Sequence, residues 1–284
     1  MTTQLSQRQR ADALHRLHQR GRPLVLVNAW DAASAGVLQA GGASVIATTS
    51  AGMAWSLGYA DGEHVPRDEF IAACARICRI ARVPVTVDIE RGFGHNTDEV
   101  CELVRGLVRL GVVGVNIEDG VSPQTRQLLP PGPLCERIVA LRALAAQEGV
   151  HLFINARTDA YFATPAGIAD RFETALQRAQ LYASAGADGI FVPGLHDRAE
   201  VTRFARSIEQ PLNVYAGHAG VPDVQLLAAA GVQRISLGCG PLQSVLGLLD
   251  RIAREAFTLG RMSAMTRDMA DAGHLNSLFL PPTH

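Results

Sequence analysis

Asp88 and Glu90 lie in the stretch Val85-Thr-Val-Asp-Ile-Glu-Arg-Gly-Phe-Gly94, where a β-branched apolar run gives way to glycine. Glu118 and Asp119 follow a second such run, Val112-Val-Gly-Val-Asn-Ile117, in the same way. Parallel strands of one sheet would bring these acids together, and carboxylates that repel one another usually need a cation. The two-residue spacing of Asp88 and Glu90 places both on one face of an extended backbone, with Ile89 on the other. Magnesium takes oxygen ligands in near-octahedral geometry and keeps several waters, so two or three carboxylates suffice to hold it. The competing reading is a solvated acidic turn. No histidine-rich pattern points to zinc.

Arg157, in Asn155-Ala-Arg-Thr-Asp159, carries a planar fork of donors suited to a substrate carboxylate or phosphonate. Its alternative is a structural ion pair with Glu118 or Asp159. Thr48-Thr-Ser-Ala-Gly52 offers hydroxyls and approachable backbone N–H groups, a weaker anion cradle. All 26 basic residues are arginine, and the absence of lysine removes Schiff-base chemistry and the lysine-dependent P-loop together. A carbanion next to a carbonyl would then need another way to hold its charge, and a divalent metal supplies one.

With 284 residues, 48% of them hydrophobic, the chain is long enough for one large domain, and no low-complexity linker divides it. A formal charge of −1 and scattered arginines give no basic field for nucleic acid. The N-terminus lacks the apolar core of a signal peptide, and no apolar run reaches membrane-spanning length, so a cytoplasmic protein without membrane partners is expected. The five cysteines, Cys74, Cys78, Cys101, Cys135 and Cys239, are odd in number and read as reduced thiols without assigned chemistry.

Short apolar runs alternate with helical stretches along the whole chain. The spacing predicts strands at 24–28, 44–48, 85–88, 113–117, 152–155, 189–192, 212–215 and 234–237. Helices are predicted near 31–40, 67–81, 97–109, 133–148, 165–184, 197–207, 222–229 and 241–257, with extra helices near 5–20 and 262–272. An open doubly wound sheet would carry similar punctuation, but about eight β-α units favour an α/β fold of the (β/α)₈ TIM-barrel type. Chemistry in such a barrel sits at the C-terminal strand ends. The polar residues there are Asn28 and Asp31; Thr48, Thr49 and Ser50; Asp88 and Glu90; Asn116, Glu118 and Asp119; Asn155, Arg157 and Asp159; and Tyr215 and His218. Any one of them could simply cap a helix, but a whole ring of them points to a site.

The motifs Asn28-Ala-Trp-Asp-Ala32, Thr49-Ser-Ala-Gly52, Leu57-Gly-Tyr-Ala-Asp-Gly62, Asp88-Ile-Glu-Arg-Gly-Phe-Gly94, Gly114-Val-Asn-Ile-Glu-Asp119, Asn155-Ala-Arg-Thr-Asp159 and Arg234-Ile-Ser-Leu-Gly238 occur together and in order. In this combination the chain resembles the isocitrate lyase/phosphoenolpyruvate mutase superfamily, in particular its carboxyphosphonoenolpyruvate phosphonomutase-like branch. The resemblance implies Mg²⁺, with Mn²⁺ as a substitute, held by Asp88, Glu90 and Glu118 mostly through water. It implies that Asp61 is a further acid near metal and substrate, and that Thr49, Ser50 and Ala51 hold the substrate's oxo-acid end, beside Asp88. Arg157 would hold the other anionic group, and Asp61, Glu118 and Arg157 would form the catalytic set. It also implies a homotetramer, a dimer of dimers, in which C-terminal helices from about 241–284 pack on a neighbouring subunit.

The chain departs from the family in the loop after Asp119. Lyases of isocitrate or methylisocitrate carry a Lys-Lys-Cys-Gly-His or Lys-Arg-Cys-Gly-His motif there, and the phosphonomutases a Lys-x-Asn element. Here the loop reads Gly120-Val-Ser-Pro-Gln-Thr-Arg-Gln-Leu-Leu129 and has neither. Ser122, Thr125 and Arg126 would approach the substrate if it closes as a lid. The expected function is a Mg²⁺-dependent enzyme that cleaves the C–C bond beside the carbonyl of a small 2-oxo or 2-hydroxy acid, through an enolate held by the metal. Decarboxylation or hydrolysis fits the missing cysteine better than a retro-aldol lyase. P–C bond chemistry on a phosphonate or phosphoenolpyruvate, and non-catalytic binding of 2-oxo acids, are the alternatives. Tyr215 and His218 are reserve proton-transfer groups.

Overall fold

The structure, a computed structural model, describes residues 5–163, 170–267 and 269–280. In chain order it contains α1 (Gln7–Arg16), β1 (Leu24–Leu26), α2 (Ala32–Ala40), β2 (Ile46–Ala47), α3 (Ser50–Ser56), α4 (Arg67–Ile80) and β3 (Val85–Asp88). Then follow α5 (Thr97–Arg109), β4 (Gly114–Glu118), α6 (Gly132–Gln147), β5 (Phe153–Arg157), α7 (Arg171–Ser184), β6 (Gly189–Phe191) and α8 (Arg198–Ser207). The chain continues through β7 (Leu212–Tyr215), α9 (Val224–Ala229), β8 (Arg234–Ser236), α10 (Gly240–Leu259), α11 (Ser263–Thr266) and α12 (Ala272–Phe279).

The eight strands are parallel and ordered β1-β8-β7-β6-β5-β4-β3-β2, so the predicted barrel is the fold. β1 and β2 meet through one bridge, between Ala29 and Thr48. The N–H of Ala29 donates to the Ala47 carbonyl at 2.7 Å, and the N–H of Thr49 donates to the Ala29 carbonyl at 3.1 Å. Asn28 reinforces this seam. Its Nδ2 donates to the Thr48 carbonyl at 2.7 Å and its Oδ1 accepts from the N–H of Gly238 at 2.8 Å. One buried amide thus ties together the chain just beyond β1, β2 and β8.

The helices follow from apolar spacing. In α5 the buried residues Val100, Leu103, Val104, Leu107 and Val108 recur at three- and four-residue intervals, which makes one face of a helix, and Asn96 caps its first turn by accepting from the N–H of Glu99. Asp31, placed among the candidate site residues by its strand-end position, forms a capping box with Ser34 at the start of α2. The helix predicted at 165–184 is found as α7; residues 165–169 lie outside the described residues.

Two segments differ from expectation. Ser50–Ser56, read as part of an anion-binding loop, is the short helix α3. The tail predicted as one helix over 262–272 is instead α11 and α12, because Asp271 accepts from the N–H of His274 and starts a new helix. α12 folds back on α2, so close that a Cβ on Gly36 would meet the Phe279 ring at 2.6 Å. Among the described residues, no helix is long and apolar enough to cross a membrane.

Candidate active site

Asp88 closes β3, Glu118 closes β4 and Arg157 closes β5, and the ladders pair Asp88 with Asn116 and Glu118 with Arg157. The sheet register therefore delivers these side chains to one end of the barrel. Asp88 is buried. Its backbone N–H donates to Thr48 Oγ1 at 2.9 Å, and its carboxylate accepts long contacts of 3.4 Å from the N–H groups of Ser50 and Glu90.

Glu90 does not continue the strand as its spacing suggests. Its φ is +49°, a left-handed conformation rare for a residue with a Cβ, and the N–H of Gly92 closes the turn onto the Ile89 carbonyl at 2.7 Å. Gly92 at φ +111° completes the reversal, where a Cβ would lie 2.7 Å from the Val100 methyls. The turn still brings Glu90 to the acids. Burial, with Asp61 and Asp88 alongside, pushes it up to about 8.

Arg157 satisfies both halves of the ion-pair alternative. Its Nη1 lies 2.8 Å from Glu118 Oε2 and its Nε donates to Asp159 Oδ1 at 2.6 Å. Among the described residues its Nη2 has no recorded hydrogen-bond partner, and the Phe162 and Phe191 rings lie 5.8 Å from the guanidinium carbon. Burial alone would lower the basicity of Arg157, but Asp159, Glu118 and Asp88 raise it.

Asp159, Glu118 and Asp88 act on this guanidinium, Asp61 and Glu90 act in turn on their fellow acids, and the buried Arg234 is a second guanidinium within electrostatic reach of Asp88. Burial, reinforced by mutual repulsion, raises three of these acids. Burial raises Asp88, with Arg157 opposing and Asp61 reinforcing. Burial also holds Glu118 well above the carboxylate range, and Arg157 offsets it only in part. An all-oxygen, electron-rich donor set fits a hard cation such as Mg²⁺ rather than zinc. Among the described residues, no three of these carboxylates bring oxygens within 4.8 Å of one another.

Asp119, read as a companion of Glu118, points elsewhere. It accepts from Arg178 Nη1 at 2.8 Å, from the Tyr182 hydroxyl at 2.7 Å and from the N–H of Asp159 at 2.9 Å. Arg178 Nη2 also donates to the Leu129 carbonyl at 2.7 Å. Asp119 therefore fastens the loop after β4 and the turn after β5 to α7. That loop is itself closed by a Val121–Leu128 bridge, and Arg126 Nη2 reaches the Phe162 carbonyl at 3.3 Å, beside the site.

A cavity of about 170 Å³ opens among these strand ends, below the 300–1,000 Å³ typical of drug-sized pockets. Asp61, Asp88 and Arg157 line it, together with Thr49, Ser50 and Ala51. Tyr215 lines it too, with its hydroxyl 4.0 Å from Cys239 Sγ. Glu90 and Glu118 do not line it, Glu118 lining instead another cavity of about 720 Å³ with Arg91 and Arg137, and His218, exposed and turned to the Ala219 carbonyl, lines neither. Ser236, which closes β8, and Cys239, at the start of α10, line the cavity although the sequence reading gave neither a site role; applying the strand-end rule to the last strand identifies them.

Comparison with known proteins identifies the family. The profile of the phosphoenolpyruvate phosphomutase family matches residues 14–257. A protein of Mycobacterium tuberculosis (strain H37Rv) without an assigned activity is 36% identical over 244 residues, covering 85% of this chain and 88% of its own length. The oxaloacetate decarboxylase of Ectopseudomonas mendocina is 34% identical over 188 residues, 64% of this chain and 61% of that protein. A solved structure from Burkholderia cenocepacia J2315, whose lyase/mutase assignment is provisional, superposes with a TM-score of 0.88 at 31% identity and covers 97% of each chain. The chain belongs to the phosphoenolpyruvate phosphomutase family, within the isocitrate lyase/phosphoenolpyruvate mutase superfamily.

Proposed function

We propose that the protein is a Mg²⁺-dependent enzyme that cleaves the C–C bond next to the carbonyl of a small 2-oxo or 2-hydroxy acid. The observation that carries this reading is the crowd of buried carboxylates around Arg157 at the edge of a cavity sized for a small acid. Asp88, Glu90 and Glu118 hold the ion and its waters, with Mn²⁺ as a substitute. When bound, the ion supplies Lewis-acid stabilisation of negative charge on the substrate's carbonyl oxygen.

The chain's own groups do the rest. Thr49, Ser50 and Ala51 position the oxo-acid end against Asp88, and Nη2 of Arg157 takes the distal carboxylate. In a decarboxylation the distal carboxylate leaves as CO₂ and the bonding electron pair stays on the carbon beside the carbonyl as an enolate, which then needs a proton. Burial, with Cys239 alongside, raises the Tyr215 phenol to about 12, so it keeps its proton at neutral pH and can donate it. Asp61, exposed at the mouth, relays protons to solvent. The similarity to an oxaloacetate decarboxylase supports carbon-acid chemistry, and the loop 120–129 lacks the Lys-x-Asn element that P–C chemistry would favour.

A turnover assay with Mg²⁺ on oxaloacetate, substituted malates and phosphonopyruvate, run beside calorimetry, tests the reading. Turnover of a carbon acid is expected. Turnover of phosphonopyruvate alone would move the chemistry to the P–C bond, and tight binding without turnover of any compound would make the protein a 2-oxo acid binder.

The apolar face of α10 supports the proposed assembly. Of its 20 residues only Leu242 is buried, while Leu249 is 57% and Phe257 90% exposed. We propose that this face, with α11, packs on further copies of the chain in a homotetramer, while α12 lies on α2 of its own chain. Light scattering is expected to give four times the chain mass of 30.3 kDa, and a monomer at micromolar concentration overturns the assembly.

A further inference from the structure

α1 covers the end of the barrel opposite the candidate active site. Gln7 Nε2 donates to the carbonyls of Val108 at 2.6 Å and Val112 at 3.3 Å, and the His18 ring, just past the helix, stacks on Phe153 at 4.2 Å. Here His15 from α1 meets His151, which precedes β5, and Asp188, which precedes β6. One ligand atom from each lies within 4.8 Å of the other two, and among the described residues this is the one such group of three.

Two imidazoles and a carboxylate are a donor set for a borderline transition metal, in contrast to the all-oxygen set around Arg157. The surroundings resemble the second layer of a metal site. His15 Nε2 lies 3.1 Å from the His151 carbonyl, to which it can only donate, so Nδ1 is left as its ligand atom, and Asp12 Oδ1, 3.8 Å from His151 Nδ1 and beyond hydrogen-bond reach, adds negative charge beside the second ring. Arg142 and the N–H of Ile154, the latter at 2.7 Å, both engage Asp188 Oδ2 and so fix the carboxylate while leaving Oδ1 for a cation. Burial and the neighbouring His151 lower His15 to about 4, so its ring is neutral and carries a lone pair at neutral pH.

We propose that His15, His151 and Asp188 form a second metal site, for Zn²⁺ or a similar borderline divalent ion, that staples α1 to the barrel at β5 and β6. The ion would find three protein ligands from three separate segments and complete its shell with water. The rings of His15 and His151 stack at 3.7 Å with their planes 12° apart. A metal–imidazole bond lies in the ring plane, so occupancy turns the exposed His151 out of the stack. The positive charge of Arg142 beside Asp188 opposes the ion, and three ligands hold it less firmly than four, so binding is reversible.

Calorimetric titration with Zn²⁺ in an Asp88→Asn background separates this site from the acids at the other end. One Zn²⁺ per chain is expected to bind there and to raise the melting temperature. Adding His151→Ala, a change at an exposed residue, is expected to weaken binding at least tenfold and to remove the Zn²⁺-dependent rise, with the circular dichroism spectrum unchanged. Replacing His15 by Gln should do the same. Zn²⁺ affinity that is indifferent to both histidines, or that vanishes with Asp88→Asn alone, overturns the site. Neither outcome bears on the carbon-acid reading, because the titration measures no turnover.

Discussion

Asp88→Asn is expected to lower Mg²⁺-dependent kcat/KM by about 10³-fold, which corresponds to the several kcal/mol that Lewis-acid stabilisation of an oxyanion contributes. The same substitution is expected to stabilise the metal-free protein. Asp88 is buried among Asp61, Glu90 and Glu118, and the burial that raises its pKa is the cost of keeping its charge there. Asparagine keeps the shape without that cost. In the parent protein Mg²⁺ should raise the melting temperature, since an ion that binds only the folded state stabilises it by mass action. In the variant the metal-free melting temperature should rise and the Mg²⁺ increment should shrink. An undiminished increment removes Asp88 from the metal site.

The pH dependence carries the same sign. Glu90 has a folded pKa of about 8 against an ordinary 4.5, so its proton stabilises the fold. That contribution is complete below pH 4.5 and is lost as pH rises through 8. Metal-free protein therefore loses stability across this window. Mg²⁺ competes with the same protons, so its affinity rises as the pH rises, and the increment it adds to the melting temperature is largest at the alkaline end.

Much of this site was legible because β-branched runs followed by glycine mark barrel strands plainly. Val85–Asp88 is found as predicted, and Phe153–Arg157 differs from its predicted bounds by one residue at its start and two at its end. Once the strands are in order, the rule that chemistry sits at their C-terminal ends delivers Asp88, Glu118 and Arg157 to one place. α3 was hidden for a physical reason: Ala51, Gly52, Met53 and Ala54 are all buried and Thr49 provides no side-chain cap, so neither helical period nor cap marks it. The left-handed turn at Glu90 was equally silent, because a residue with a Cβ gives no signal of positive φ. Glu118 and Asp119 are adjacent in sequence and so read as a pair. Successive side chains at a strand end point to opposite sides, and here one faces the barrel mouth while the other faces α7.

Arg157→Lys is expected to cost about 10²-fold in kcat/KM, and the cause is geometric. The guanidinium spans two carboxylates at once, Nη1 on Glu118 and Nε on Asp159, with Nη2 left for the substrate. A lysine ammonium is a compact point charge and meets at most part of that arrangement. Removing one partner of a buried charge pair typically costs about 2–5 kcal/mol, because the remaining charge is stranded. A purely structural arginine and a substrate-binding one differ in which parameter moves. If Arg157 only neutralises Glu118 and Asp159, the variant loses melting temperature, Mg²⁺ restores part of it, and substrates with and without a distal carboxylate suffer equally. If Nη2 grips the distal anion, KM rises for the dicarboxylate while the corresponding monocarboxylate is nearly unaffected, so the preference between them collapses. Steady-state kinetics on such a pair, with thermal melts in parallel, decide the matter, and an unchanged preference takes substrate anchoring away from Arg157. The preference is expected to collapse, since Nη1 and Nε are already committed to Glu118 and Asp159 while Arg157 lines the cavity.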